Sequence, residues 1–170
     1  MTGYGHLPDL LNMSKSWKVN NMDIVTPEQR SRNMAAIRSQ NTKPEVYFRK
    51  LLFAQGYRYS LNSKNIPGHP DMYLRKYNTA IFVHGCFWHR HEGCKYAYMP
   101  KSKIEFWENK FEMNKKRDIV VRRSLLEKGI RYIVIWECTI RKMKKDNEFC
   151  KNILIQVNKF LKSEETLIEF

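Results

Sequence analysis

The stretch HGCFWHRHEGC, residues 84–94, puts three histidines, two cysteines, a phenylalanine and a tryptophan into eleven positions, directly after the apolar run TAIFV. Thiolates and imidazoles gather this closely when they share a metal ion, and a loop tied to an ion constrains every element that ends beside it. Cys86, His91 and Cys94 stand at C-x4-H-x2-C spacing. A tetrahedral zinc site needs a fourth donor, which must come from elsewhere. Cys138 lies just beyond the run YIVIW, where a neighbouring strand end would deliver it to the loop. Cys150 competes for the place, but beside Phe149 and near Ile153 it reads better as a packed free thiol. The expectation is a closed, structural Cys86–His91–Cys94–Cys138 site. Four ordinary buried thiols are the plainer alternative, weakened by three donors falling within nine residues.

Around this loop the chain reads as a small α/β domain with a mixed sheet flanked by helices. Residues 1–21 show no sustained period and are expected to be a flexible extension, with one domain over 22–170. TPEQ at Thr26–Gln29 is a capping box opening a short basic helix to about Arg38, and 22–40 are expected to form a basic, DNA-contacting amino-terminal helix. TKPE at Thr42–Glu45 repeats the device and opens a helix that stops at Gly56. A strand is predicted from near Asp71, a turn at Lys76–Asn78, a second strand at TAIFV, a helix over about Ile104–Lys128 closed by Gly129, and a third strand at RYIVIW. Phe149, Ile153, Val157, Phe160 and Leu161 recur at helical spacing and predict a terminal packing helix.

Charge narrows the function. The 170 residues carry 31 Lys and Arg against 17 Asp and Glu, a net charge of +14, which draws polyanions and points to nucleic acid. No apolar run of about 18 residues exists to span a membrane. The amino terminus lacks a secretory pattern, so a reducing cytoplasm is expected, where clustered Cys and His mean metal more often than disulfide.

Chemistry concentrates near the same loop. Asp71, after Pro70 at a strand start, offers the hard oxygen that Mg²⁺ prefers. His84 and His89 are not needed for zinc, and an imidazole takes a proton from water near neutral pH. Asp118 on the long helix is placed to orient one of them. Plainer readings exist: His84 as a core histidine, Asp118 paired with Arg117 or Arg122, Glu45 completing its capping box. Phe87 and Trp88, flanked by polar residues on a tied loop, are expected to point outward, whereas Trp107 and Met34 have an equally good reading as packing residues.

The combination RSRNMAAIRSQNTKPE, PGHPDM, FVHGCFWHRH, EFWENKFEMNKKRD and VIWEC resembles the very short patch repair (Vsr-type) DNA mismatch endonucleases, of the restriction-endonuclease-like superfamily, from about Met22 to Cys138. The resemblance implies an Mg²⁺-dependent enzyme that nicks one strand beside the T of a T·G mismatch left by deamination of 5-methylcytosine. It implies Asp71 as the Mg²⁺ ligand, His89 as general base, His84 and Asp118 in support, and Glu45 near the metal water. It further implies zinc on Cys86, His91, Cys94 and Cys138, with Phe87, Trp88 and Trp107 inserted into DNA from one groove and Met34 from the other. Val83 stands where the family can have Thr. FVHG also lacks the lysine of the Glu-x-Lys usual in restriction-type nucleases, so imidazole takes over proton handling. The implied partners are double-stranded DNA, general mismatch-repair factors and a functionally linked cytosine-5 methyltransferase, with the enzyme expected to be a monomer. Two alternatives are a restriction-type endonuclease of other specificity and a non-catalytic, zinc-stapled DNA-binding module.

Overall fold

The computed structural model describes residues 40–170, together with Thr26, Glu28, Gln29, Arg32, Ala35 and Ala36. The expected extension over 1–21 and Met34 lie outside the described residues. Of the amino-terminal basic helix, the cap is described: the Gln29 N–H donates to Thr26 Oγ1 at 3.2 Å.

The first complete helix, α1 (Lys43–Ala54), starts as its sequence directs. Thr42 is the extended N-cap, its hydroxyl donates to Glu45 Oε1 at 2.7 Å, and Pro44 occupies the first turn. Then come β1 (Met72–Leu74), a single 3₁₀ turn at Arg75–Tyr77, β2 (Thr79–His84), the long helix α2 (Ile104–Glu127) and β3 (Arg131–Trp136). Two elements beyond those expected follow. One is a short helix, α3 (Glu137–Met143). The other is an edge strand, β4 (Leu167–Glu169), placed after the terminal helix α4 (Asn147–Lys162).

The sheet runs β1-β2-β3-β4 in space, with β1 antiparallel to β2 and the remaining pairs parallel, so it is mixed. Strand side chains alternate between faces. Met72, Leu74, Ile81, Ile133 and Ile135 face a core closed by Phe48 and Leu52 of α1, Ile140 and Met143 of α3, and Ile153, Val157 and Phe160 of α4. Ala80, Phe82, Tyr132, Val134 and Trp136 face the other way, toward Val121 and Leu125 of α2 and the cysteines Cys86, Cys94 and Cys138.

Helix α2 ends in a Schellman motif. The N–H of Ile130 reaches Leu125 O at 2.9 Å and that of Gly129, at φ +64°, reaches Leu126 O at 2.9 Å. This stop sets the phase in which β3 enters the sheet. Gly68 matters similarly: at φ +77°, a Cβ there would lie 2.4 Å from Val121 Cγ1 of α2. Only glycine lets this loop press against α2 and hand the chain, three residues on, to Asp71.

Phe48 is 0% exposed and Phe53, on the same helix, is 55% exposed. Phe48→Ala is expected to cost about 3–5 kcal/mol and Phe53→Ala about 0.5 kcal/mol or less in urea denaturation. Similar losses at both positions would contradict the packing described.

Candidate active site and metal centre

Parallel strands in register end side by side. Here His84 of β2 pairs with Trp136 of β3, so the residues two beyond each end, Cys86 and Cys138, emerge at the same edge of the sheet. The loop after β2 then winds through tight turns: the N–H groups of His89, His91 and Cys94 donate to Gly85 O, Cys86 O and His91 O at 3.1–3.2 Å. Arg90, at φ +53°, reverses the chain between the two loop histidines. One imidazole faces the cysteines and the other faces the opposite side of the loop.

The donor atoms of Cys86, His91, Cys94 and Cys138 all lie within 4.8 Å of one another. His91 Nδ1 is 3.3 Å from Cys138 Sγ and 3.7 Å from Cys86 Sγ. A sulfur and a nitrogen on one tetrahedral zinc stand about 3.6 Å apart, so the spacing fits that ion. Burial pushes the Cys86 thiol up to about 12, as befits a sulfur that needs a cation to ionise. Cys150 is buried 4.0 Å from Tyr47 Oη and takes no part. The His91 ring stacks on Trp136 at 4.1 Å with an interplanar angle of 1°.

His89 turns to the other cluster. Its Nδ1 is 2.6 Å from Asp118 Oδ2, whereas Arg117 is 4.0 Å from the second carboxylate oxygen. Asp118 therefore serves the imidazole before it serves any arginine. His84 stacks on His89, ring centroids 3.8 Å apart, and burial followed by the neighbouring His89 pushes it down to about 3, so it is neutral at working pH. Asp71, immediately before β1, accepts from the Val83 N–H at 2.7 Å. Burial raises its carboxyl to about 6 against the opposing pull of that hydrogen bond, and the nearby Glu45 raises it further.

Glu45, Asp71, His84, His89 and Asp118 line one cavity of about 600 Å³, with Lys115, Arg117 and Arg122 on its wall. A second cavity of about 660 Å³ shares Glu45, Val83, His89 and Arg117 with it and runs along Trp88, Trp107 and Lys110. The five residues singled out for chemistry thus share one space, and it continues toward the aromatics. Phe87 contacts Trp88, Tyr98, Trp107 and Phe111 at 5.1–5.3 Å. Phe87, Trp88 and Trp107 are half-buried in this cluster of their own and belong to neither main core. Two contributors escaped the sequence reading. Asn114, buried on α2, donates to Trp88 O at 2.9 Å and holds the loop to the helix; a lone polar residue on the inner helix face was its signal. Trp136, read only as strand, touches both histidine clusters.

A sequence model of the family "DNA mismatch endonuclease Vsr" matches residues 22–95. The type II nicking enzyme V.NmeAIP of Neisseria meningitidis is 46% identical over 119 residues, 70% of this chain and 84% of that protein. The type II nicking enzyme V.XorIIP of Xanthomonas oryzae pv. oryzae is 39% identical over 132 residues, 78% of this chain and 96% of that protein. The DNA mismatch endonuclease Vsr of Escherichia coli K12 is 37% identical over 123 residues, 72% of this chain and 78% of that protein. The chain belongs to the Vsr family. It is an endonuclease, a hydrolase of DNA, built on the family's restriction-endonuclease-like scaffold, here a small α/β fold with a mixed four-stranded sheet. Among the described residues, no helix of this Vsr-family chain is long and apolar enough to cross a membrane.

Asp71 and His84 pull the pH dependence of stability in opposite directions. Folded Asp71 keeps its proton up to about 6 against 3.8 unfolded, so its ionisation weakens the fold as pH rises through 6. Folded His84 stays neutral down to about 3 against 6.5 unfolded, so acidification below 6.5 weakens the fold. Between about pH 6 and 4 the two offset each other. In magnesium-free buffer, Asp71→Asn is expected to be more stable than the parent above about pH 7, on the order of 1–2 kcal/mol, and to lose stability more steeply below about pH 6. Parallel stability curves from urea denaturation would contradict this.

Proposed function

We propose that this Vsr-family endonuclease nicks one DNA strand beside the T of a T·G mismatch, using Mg²⁺ held at Asp71, and that a zinc ion on Cys86, His91, Cys94 and Cys138 is purely structural. The observation that carries the reading is the His89–Asp118 pair standing in one cavity with Asp71 and Glu45. The relatives, nicking enzymes and a mismatch endonuclease, support strand nicking at mispaired DNA.

His89 is the general base. With Nδ1–H donated to Asp118, its Nε2 is the free acceptor for a proton from the attacking water, and the imidazolium that results sits against a carboxylate. Asp118 fixes the tautomer and the ring. Neutral His84, stacked on the base, holds its plane without adding a competing positive charge. Asp71 supplies the carboxylate for magnesium, with the Val83 carbonyl a further hard oxygen at the adjacent strand end, and Glu45 is placed to orient metal-bound water. Bound Mg²⁺ would neutralise charge on the attacking and leaving oxygens. With four protein ligands the zinc site has no open position, so its work is to hold the loop.

Phe87, Trp88 and Trp107 then act as a wedge. Inserting between base steps costs a few kcal/mol of unstacking, least where pairing is already imperfect, so a mismatch is selected partly because it opens cheaply. Lysines and arginines on α2 neutralise phosphates without reading sequence. Repair of deaminated 5-methylcytosine, alongside a cytosine-5 methyltransferase and general mismatch-repair factors, is the setting such an activity fits.

A nicking assay on matched and T·G duplexes tests this. Wild type with Mg²⁺ is expected to nick the mismatched duplex alone, and His89→Ala to lose about a hundredfold or more of the rate with an unchanged circular dichroism spectrum. Equal cutting of both duplexes would give the function to a restriction-type nuclease instead. For the metal centre, one equivalent of zinc should co-purify with wild type and with Cys150→Ser, and be lost from Cys138→Ser. Retention by Cys138→Ser would remove that residue from the ligand set.

A further inference from the structure

The last strand of the chain lies beside the active cavity without an evident task. Strand β4 pairs with β3 in parallel, Val134 opposite Glu169, and the ladder continues through Trp136 N–H to Phe170 O at 2.9 Å and Phe170 N–H to Val134 O at 3.0 Å. This register puts Glu169 on the α2 face of the sheet, where it lines the cavity with His84 and His89. Its Oε1 accepts from Trp136 Nε1–H at 2.5 Å. A carboxylate in a site meant for phosphates raises local repulsion, so its presence calls for a reason.

Trp136 supplies one. Its indole lies flat against His91 of the cysteine cluster, 4.1 Å away at 1°, and stands edge-on to His84, 5.3 Å away at 72°. His84 in turn stacks on His89 at 3.8 Å. Turning the indole about its side-chain torsions would break the contact with His91, the contact with His84, or both. Packing restrains that motion on the histidine sides, and the bond from Nε1 to Glu169 is the directional tie on the ring. We infer that Glu169 is a positioning residue: through Trp136 it fixes the ring that spaces the cysteine–histidine clasp from the His84–His89 stack, so the carboxyl-terminal strand sets the placement of the general base. The inference rests on the proposed role of His89.

A charge-assisted bond is directional, whereas a bare charge is not, and this separates positioning from simple electrostatics. Glu169→Gln keeps an oxygen acceptor for the indole and loses the charge; Glu169→Ala loses both. Each variant, with the full chain and bound metal, is measured for kcat and KM on its DNA substrate and by NMR of indole N–H and histidine ring signals without DNA. Glu169→Ala is expected to lower kcat on the order of tenfold with little change in KM, and to move the Trp136, His84 and His91 signals. Glu169→Gln should restore most of kcat and the signals. In a double-mutant cycle, Glu169→Ala should add little to Trp136→Phe, since the phenyl ring has no N–H to hold.

The inference is overturned if Glu169→Ala leaves the His84 and His91 signals in place, if Gln and Ala behave alike, or if the two losses multiply as independent effects. Wild type that fails to nick T·G duplexes while the histidine signals respond as expected would refute the mismatch reading and leave the positioning role standing.

Discussion

The parallel pairing of β2 with β3 is the constraint on which the other features rest. It places His84 level with Trp136, so the chain leaves both strands at one edge of the sheet and Cys86 meets Cys138 there. A slip of one residue would send each side chain on one strand to the opposite face, separating the thiols and removing Trp136 from between the histidines. Long-range pairing of this kind needs a crossover, and α2 supplies it. That same helix carries Asp118 to His89 and Asn114 to the Trp88 carbonyl. One connection thus closes the sheet and completes the cavity.

The loop between Gly85 and Cys94 answers two demands that are ordinarily incompatible. For the proposed function it has to hold the His89 imidazole in place while leaving Phe87 and Trp88 only half-buried. Rigidity by burial would have swallowed the rings. The donor cluster of Cys86, His91, Cys94 and Cys138 gathers one side of the loop, and Asn114 ties the Trp88 carbonyl to α2, while Phe87 and Trp88 stay half-buried. Arg90, in its left-handed conformation, is the pivot that sends His91 and His89 to their separate tasks.

Much of this was legible in the sequence where the controlling physics is local. The cap of α1 was visible in Thr42, Pro44 and Glu45, the stop of α2 in Gly129, and the two buried strands in their unbroken apolar runs. Cys138 was legible for a different reason: it lies just beyond the YIVIW run, where a neighbouring strand end could bring it to the loop. Strand β4 was not legible. Three residues with no alternation gain strand character only from the ladder offered by β3. Helix α3 was hidden because ECTIRKM reads as a basic tail until Ile140 and Met143 meet the core. The choice of His89 over His84 as the partner of Asp118 depends on a turn at Arg90 that no spacing announces. Trp136 looked like one more apolar residue in a strand, since its contacts come from a loop, a second strand and the chain terminus.

Trp88 and His89 are consecutive residues, joined by one peptide unit inside a tied loop. Their Cα atoms are therefore about 3.8 Å apart, close to the roughly 3.4 Å that separates neighbouring nucleotides along a strand. An enzyme that senses a lesion in one domain and cuts with another must measure distance along the helix, and any hinge between them blurs the measurement. If Trp88 wedges and His89 is the base, as proposed, one peptide unit replaces that hinge, and the opened step and the cut bond differ by about a nucleotide.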